Sequence, residues 1–199
     1  MPSPTTLRRV LRIGAPVLFL GLVGATYQGV ATALERRTFP RPGGLVAVGD
    51  HQLHIHCTGT GTPTVVLEAP AAGMSAAWGA VQPAVARVTR VCAYDRAGLG
   101  WSERGDARYA PEGVVSELHS LLDAAGERGP YVIAGHGLGA AFATLFAAGF
   151  KAETAALVLI DSPDGLDRPR VPLLLAGYTR ALPWLARTGL LRAWGGLCQ

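Results

Sequence analysis

The segment Gly135-His136-Gly137-Leu138-Gly139 is the part of the sequence best suited to chemistry. It follows an apolar run, Tyr131–Ala134, that predicts a buried strand, and it leads into Leu138–Phe150, which predicts a helix. A glycine-rich turn between a strand and a helix raises its central residue above the sheet edge, and the helix N-terminus offers N–H groups to a developing oxyanion. A serine at this centre would be a nucleophile. The centre here is Gly137, which has no side chain to deprotonate.

The surrounding elements are expected to form a sheet that carries this turn. Six segments predict strands: Leu45–Val48, Gln52–Cys57, Thr64–Glu68, Val91–Tyr94, Tyr131–Ala134 and Ala156–Ile160. Three segments predict helices: Ser75–Val88 with Pro83 as a defect, Pro111–Ala125 and Leu138–Phe150. The first two strands form a hairpin around a turn. The later alternation of strands and helices predicts right-handed crossovers, and hence a parallel sheet covered on both faces.

Several ordered segments carry a resemblance to a known family. Besides Gly-His-x-Leu-Gly they are Leu53–Gly59, Thr64–Glu68, Arg90–Ser102 and Leu157–Ser162. Together they resemble the α/β-hydrolase superfamily, in a membrane-anchored bacterial branch, over about residues 44–165. The resemblance implies the α/β-hydrolase fold, a mostly parallel sheet with helices on both faces. Here we expect it to be truncated after the sixth strand and preceded by a transmembrane helix.

The sequence departs from the family pattern at three places. Gly137 stands at the nucleophile position. Pro70 stands where the family usually has glycine, although the resemblance still implies the N–H groups of Leu138 and Ala71 as oxyanion-type donors. The family order is nucleophile, acid and histidine, yet no histidine follows His136 and the sequence stops at Gln199. We expect the fold itself to tolerate Gly137, because the centre of such a turn has a positive φ.

These departures predict a hydrolase-family protein without serine-hydrolase activity, either a pseudoenzyme or the product of a shortened gene. One alternative is an active ester or amide hydrolase with another catalytic arrangement. Its weak candidates are Asp95, Asp161 and Ser162, near the carboxyl ends of strands. Asp95 is otherwise part of a structural ion pair with Arg96 or a loop cap, and Asp161-Ser162 is otherwise part of a turn. The other alternative is a non-catalytic membrane-surface binding module. The substrate is not identified, and no cofactor is expected.

The histidines are expected to be structural. His136 is expected to pack or hydrogen-bond beside the turn, with a role as a base as the alternative. His54 and His56 are expected to be ordinary strand residues, and His119 a surface residue of its helix. Three cysteines without CxxC spacing indicate no zinc site, and no other metal is expected. Cys57 and Cys92 are on strands expected to be neighbours, so they are either a disulfide or two buried thiols.

The N-terminal region predicts contact with a lipid bilayer. Residues 13–34 form a run of 22 without a charge, which as a helix would span about 33 Å. The alternatives are a cleaved signal peptide ending near Ala31-Thr32-Ala33 and a buried core helix. Residues 1–41 have six arginines and one glutamate, and the whole chain has a net charge of +4. The basic charge therefore flanks the apolar run, which argues against nucleic-acid binding.

The expected organisation follows from these patterns. It consists of a basic flank (1–12), a transmembrane helix or signal anchor (13–34), a linker (35–44), the α/β-hydrolase core (45–165) and the start of a cap or lid (166–199). The protein is expected to be single-pass, with its domain outside the cytoplasm. The strand Ala156–Ile160 is expected to leave an open sheet edge through which copies of the chain self-associate.

Overall fold

The computed structural model describes residues 4–38, 40–71, 73–105, 110–162 and 187–188. These residues fall into two compact units, of which one contains the N-terminal helix and the other lies within Arg41–Asp167. The expected cap region, residues 166–199, lies outside the described residues except for 187–188, and so does Cys198.

The N-terminal unit contains one long helix, α1 (Pro4–Thr38). Within it, Gly14–Glu35 is long and apolar enough to cross a bilayer, judged by length and composition, although a signal sequence would satisfy the same test. The helix continues through the first four residues of the expected linker. The Thr38 hydroxyl donates to the Leu34 carbonyl at 3.1 Å, and Pro40 follows, where a helix cannot easily continue.

The second unit is built on one six-stranded sheet. Its strands are β1 (Gly44–Val48), β2 (His51–Thr58), β3 (Thr64–Glu68), β4 (Val91–Tyr94), β5 (Tyr131–His136) and β6 (Thr154–Ile160). Their order across the sheet is β1-β2-β4-β3-β5-β6. The pairs β1–β2 and β2–β4 are antiparallel, and the other three are parallel. The prediction of a hairpin followed by a parallel sheet is therefore confirmed.

Two of the three predicted helices form as expected. They are α3 (Pro111–Ala124), with Pro111 in its first turn, and α4 (Leu138–Gly149). The prediction of one helix over Ser75–Val88 is wrong, because that segment contains a 3₁₀ helix, Ser75–Trp78, and a separate short helix, α2 (Gln82–Val85). Pro83 has no N–H to donate and fits only the first turn, so the helix restarts there.

The hydrophobic core has two layers, one on each face of the sheet. Alternate strand residues on one face pack against α3 and α4, and the larger buried side chains of this layer are Leu53, Val66, Leu118, Leu121, Leu122, Ile133 and Phe146. The other face packs against the segment after β3, and this layer includes Leu67, Trp78, Val91, Ala93 and Ala134. Because β3, β4 and β5 are covered on both faces, their sequences are continuous apolar runs.

A disulfide joins two neighbouring strands. Cys57 of β2 lies directly opposite Cys92 of β4 in the antiparallel register, their Cα atoms are 4.0 Å apart, and their sulfur atoms are bonded. The structure therefore favours the disulfide over two separate thiols.

Candidate functional site

The turn between β5 and α4 has the geometry of a nucleophile elbow. Gly137 has φ 56° and ψ −123°, a conformation that strains any residue with a side chain. Its N–H donates to the carbonyl of Ile160 at 2.9 Å, which fixes the turn at the carboxyl end of the sheet. The positive φ expected at this position is confirmed.

The two flanking glycines are required by close packing. A Cβ atom on Gly135 would lie 2.4 Å from the carbonyl oxygen of Gly139. A Cβ atom on Gly139 would lie 2.5 Å from the carbonyl oxygens of both Glu68 and Ala69. These contacts let α4 approach the end of β3 closely. Larger residues at either position would force the helix away from the sheet.

Gly137 itself is not required by packing. A Cβ atom built on it would meet only the Cβ of Pro70, at an ordinary contact distance of 3.6 Å. The apex therefore has room for a side chain, and no atom of Gly137 occupies the position where a nucleophile would stand. The turn thus has the backbone shape of an elbow, and its central residue has no side chain.

The loop after β3 is held by the buried side chain of Arg96. One guanidinium nitrogen of Arg96 donates to the carbonyl of Ala69 at 2.7 Å, and the other donates to the carbonyls of Pro70 and Ala71 at 2.5 and 3.0 Å. The N–H of Gly73 donates to the Pro70 carbonyl at 2.9 Å and closes the turn. Arg96 thereby fixes the backbone on which Ala71 lies. The roles of Ala71 and Leu138 as oxyanion-type donors stay predictions.

Arg96 is part of a buried polar cluster that the sequence analysis missed. Its guanidinium and the Tyr94 hydroxyl both donate to the Glu68 carboxylate, and all three side chains are buried. Burial raises the pKa of Glu68 to about 7, although Arg96 and Tyr94 oppose this shift. Burial, together with the Glu68 charge, also raises the pKa of Tyr94. A glutamate at the end of a continuous apolar run was the available sequence signal.

Asp95 ties three segments together. Its carboxylate accepts from the N–H of Ser75 at 2.6 Å and from the N–H of Trp101 at 3.0 Å, and it lies 2.9 Å from Nδ1 of His54. Burial favours a raised pKa, but the contacts with His54 and the two N–H groups outweigh burial and lower the pKa of Asp95. The interpretation of Asp95 as a loop cap is confirmed.

His54 is more than an ordinary strand residue, which corrects that expectation. Its ring is wholly buried, stands between Asp95 and the carbonyl of Pro42, and has its Nε2 2.5 Å from that carbonyl oxygen. The aspartate–histidine contact resembles part of a catalytic triad. However, the Pro42 carbonyl occupies the nitrogen that would accept a proton, so the pair is structural here.

The remaining candidates are dispersed. Asp161 and Ser162 are exposed after β6, and Asp161 has φ 48°, which fits the turn interpretation. His136 ends β5 beside the apex and is half-buried. His119 lies at the surface as expected: its side chain is 32% exposed, stacks on Phe150 with ring centroids 3.9 Å apart, and contacts Glu153 at 3.1 Å.

A cavity of about 350 Å³ lies beside the elbow. Its apolar wall includes Leu99, Val114, Leu138 and Phe142, and Ala71 and Arg96 also line it. An apolar cavity that adjoins a few directed polar groups is the usual form of a small-molecule site. Ala71 and Leu138, the two residues predicted as oxyanion-type donors, therefore both line this cavity.

Comparison with known proteins identifies the family to which this fold belongs. A model of the "Alpha/beta hydrolase family" matches residues 52–197 of the sequence. This chain belongs to the alpha/beta hydrolase family. The expected fold is thus confirmed by the sheet and by the family match together.

Individual relatives support the same assignment. This chain is 31% identical over 145 residues to 2-hydroxy-6-oxo-2,4-heptadienoate hydrolase from Pseudomonas putida. The match covers 65% of this chain and 52% of the relative. A serine hydrolase involved in carbazole degradation (CarC) is 25% identical, with a TM-score of 0.56, over 62% of this chain and 49% of that one. The epoxide hydrolase CorEH is 24% identical, with a TM-score of 0.58, over 67% and 47%. The chain spans about half the length of these proteins.

One group of potential metal ligands does not fit a metal. Ligand atoms of Cys57, Cys92 and Glu127 lie within 4.8 Å of one another. The two sulfur atoms are bonded to each other, and both Glu127 oxygens accept from Arg90, at 2.7 and 2.5 Å. Thiolates rather than disulfide sulfurs bind metals, so these three residues form a structural contact rather than a metal site.

Proposed function

We propose that this alpha/beta hydrolase family protein has no serine-hydrolase activity and retains its elbow and adjoining cavity for binding. The observation that carries the proposal is Gly137, whose backbone has the conformation of a nucleophile while its side chain is a hydrogen atom. Serine, cysteine and aspartate mechanisms on this fold all begin with attack by a side chain at that position. The elbow is therefore inert toward esters and amides.

Three of the five histidines are not free to act as a replacement base. All five lie within the described residues: His51, His54, His56, His119 and His136. His51 contacts Asp50 and Glu117, at 3.0 and 3.2 Å, and His54 and His119 are held in the contacts given above. A general base must reach the proton that it removes within about 3 Å or through one water. These three imidazoles are held by other partners, which supports the absence of hydrolysis.

The cavity supports a binding role. Six of its eight lining side chains are apolar, and two of these residues, Ala71 and Leu138, are the predicted N–H donors. We propose that it takes an apolar small molecule with a carbonyl group, which would accept from these donors without being cleaved. The bound compound would then dissociate unchanged.

Ester turnover tests the loss of activity. The purified 199-residue chain in detergent is incubated with p-nitrophenyl butyrate, beside a Gly137→Ala variant as matched control. We expect the same background rate for both, because neither has a nucleophile at the apex. Saturable turnover by the native chain would overturn the proposal, whether or not the Gly137→Ala variant shares it.

We further propose that α1 tethers the protein to a membrane, with the sheet domain on the oxidising side. The span Gly14–Glu35 supports the tether by its length and apolarity. The Cys57–Cys92 disulfide supports the orientation, because disulfides persist in the periplasm or outside the cell and are rare in the cytosol.

A further inference from the structure

A second cavity, of about 440 Å³, shares no lining residue with the cavity beside the elbow. It lies between β2 and the segment from Ser75 to Ala86, on the sheet face opposite α3 and α4. Pro42, Pro83 and Trp101 provide apolar walls. Three strands separate β2 from β6, so none of these walls belongs to the outer edge of the sheet.

One wall of this cavity is polar on a sheet face that is otherwise apolar. His56 and Thr58 are two residues apart in β2, so they share a face, and both line the cavity. They lie opposite Ala93 and Val91 of β4, which belong to the apolar layer on that face. Polar side chains on such a face need a polar partner, and a bound ligand would be one.

The side-chain amide of Gln82 has one hydrogen-bonding atom without a partner. Gln82 is only 6% exposed, and its Nε2 donates to the His56 carbonyl at 2.8 Å. This bond fixes the orientation of the amide, because the reversed amide would set two acceptor oxygens against each other. Oε1 accepts from no described residue, and it is not among the unpartnered atoms sealed from solvent. The oxygen is therefore a free acceptor in the cavity that Gln82 lines.

The described lining of the cavity has no charged group to balance an ion. It contains no aspartate, glutamate, lysine or arginine. Burial, with a smaller effect of the neighbouring His54, lowers the pKa of His56, so its imidazole is uncharged at neutral pH. An ion would lose its hydration there without gaining a counter-charge, so the cavity favours an uncharged ligand.

Trp101 provides a flat surface whose position is fixed before any ligand binds. Its backbone N–H donates to the Asp95 carboxylate at 3.0 Å, and its ring contacts that of His54, with centroids 5.0 Å apart. An aromatic wall favours a ligand with a flat ring, and a surface that is already ordered lowers the entropic cost of binding.

We propose that this cavity binds an uncharged small molecule that has a flat ring and an N–H or O–H group. The ring packs against Trp101, and the N–H or O–H group donates to Oε1 of Gln82. The Thr58 hydroxyl lines the same cavity and offers the ligand a further donor. This site is independent of the elbow and of any chemistry at Gly137.

Benzamide is a suitable probe, because it is uncharged and combines a flat ring with an amide N–H. The 199-residue chain in detergent is titrated with benzamide in an isothermal titration calorimeter. N,N-dimethylbenzamide has no N–H and should bind about tenfold more weakly, because Oε1 of Gln82 is then left unpaired. In Gln82→Leu the two compounds should bind equally, since the acceptor is gone. Equal affinity of the two compounds for the native chain, or no benzamide binding, would overturn the proposal.

Two alanines locate the binding site. Ala76 and Ala77 are both exposed in the same 3₁₀ helix, but of the two only Ala76 lines the cavity. Ala76→Phe should fill the cavity and abolish benzamide binding, whereas the matched control Ala77→Phe should bind as the native chain does. Circular dichroism verifies that both variants fold. Binding that survives Ala76→Phe, or that is lost in a folded Ala77→Phe, would place benzamide elsewhere and contradict the proposal.

Discussion

Gly137 and Gly139 are two residues apart in the elbow, yet the structure assigns them different constraints. Gly137 has a backbone conformation that strains residues with a side chain, but it has space for a Cβ atom, whereas Gly139 has an ordinary helical backbone and no space. The choice of residue at position 137 is thus separable from the packing of the fold, whereas the choice at position 139 is not. Substitution by the same residue at the two positions distinguishes these constraints.

We predict that Gly137→Ser folds and that Gly139→Ser does not. Serine at 137 should lower the free energy of unfolding by about 1–3 kcal/mol, the usual cost of a side chain in such a conformation. Serine at 139 would place Cβ against two carbonyl oxygens at 2.5 Å, and should abolish cooperative unfolding. Thermal denaturation followed by circular dichroism measures both. Equal stability of the two variants would show that the elbow is packed differently.

The raised pKa of Glu68 predicts that the stability of the fold depends on pH. Its pKa is about 7 in the folded protein, against an ordinary value of 4.5. The folded state therefore binds this proton more tightly than the unfolded state, so stability falls as pH rises from about 4.5 to 7. We expect Glu68 alone to contribute a loss of about 3 kcal/mol over that interval. Urea unfolding of the native chain at several pH values provides the slope.

Glu68→Gln is the control for this slope, because glutamine keeps a hydrogen-bonding oxygen for Arg96 but does not titrate. The variant should lose the decline that Glu68 causes between pH 4.5 and 7. An identical pH dependence in the native chain and in Glu68→Gln would contradict a raised pKa, and would indicate that Arg96 keeps the carboxylate ionised.

Among the elements, the β2–β4 pair has a covalent link that is open to measurement. The disulfide closes a loop of 35 residues, for which the chain-entropy account predicts a stabilisation of about 4 kcal/mol. The Cys57→Ala/Cys92→Ala variant should therefore unfold at lower urea concentration, and Cys198→Ala should not. Thiol titration of the denatured chain should give one thiol before reduction and three after it. Three thiols before reduction would rule out the bond.

The sequence predicted the elements that depend on local pattern. Apolar runs and the spacing of glycines are local features of the sequence. They were sufficient to predict the strands, the hairpin, α3, α4 and the elbow. The segment Ser75–Val88 was mispredicted because its apolar spacing is helical, while Pro83 prevents one continuous helix. Val88, the last residue of that segment, is 81% exposed.

The polar cluster behind the elbow could not be predicted in the same way. Glu68 ends β3 and Arg96 follows β4, 28 residues later, so their contact depends on the pairing of these two strands. His54 likewise meets Asp95 only because β2 lies beside β4. Each residue had an ordinary local explanation, as a strand end or a loop residue. Their shared role, holding the backbone around the elbow, appears only in three dimensions.

The whole molecule combines a sheet domain with an apolar helix long enough to span a bilayer. We predict that the expressed chain sediments with membranes and resists alkaline carbonate extraction, as a helix inserted in lipid does. Arg12→Glu is a control for purely electrostatic attachment and should leave extraction unchanged. Release of a shorter soluble species that begins near Leu34 would instead identify the segment as a cleaved signal peptide.

Fluorophosphonate labelling is the most direct test of the central claim, that this hydrolase-family protein lacks a serine nucleophile. The probe forms a covalent bond with an activated serine, and intact-mass spectrometry detects one adduct per chain whatever the natural substrate. The 199-residue chain is labelled in detergent beside an active serine hydrolase that confirms the reagent. The account predicts no adduct, because Gly137 occupies the apex. A stoichiometric adduct on any serine would contradict the account if it no longer forms when the chain is denatured before labelling.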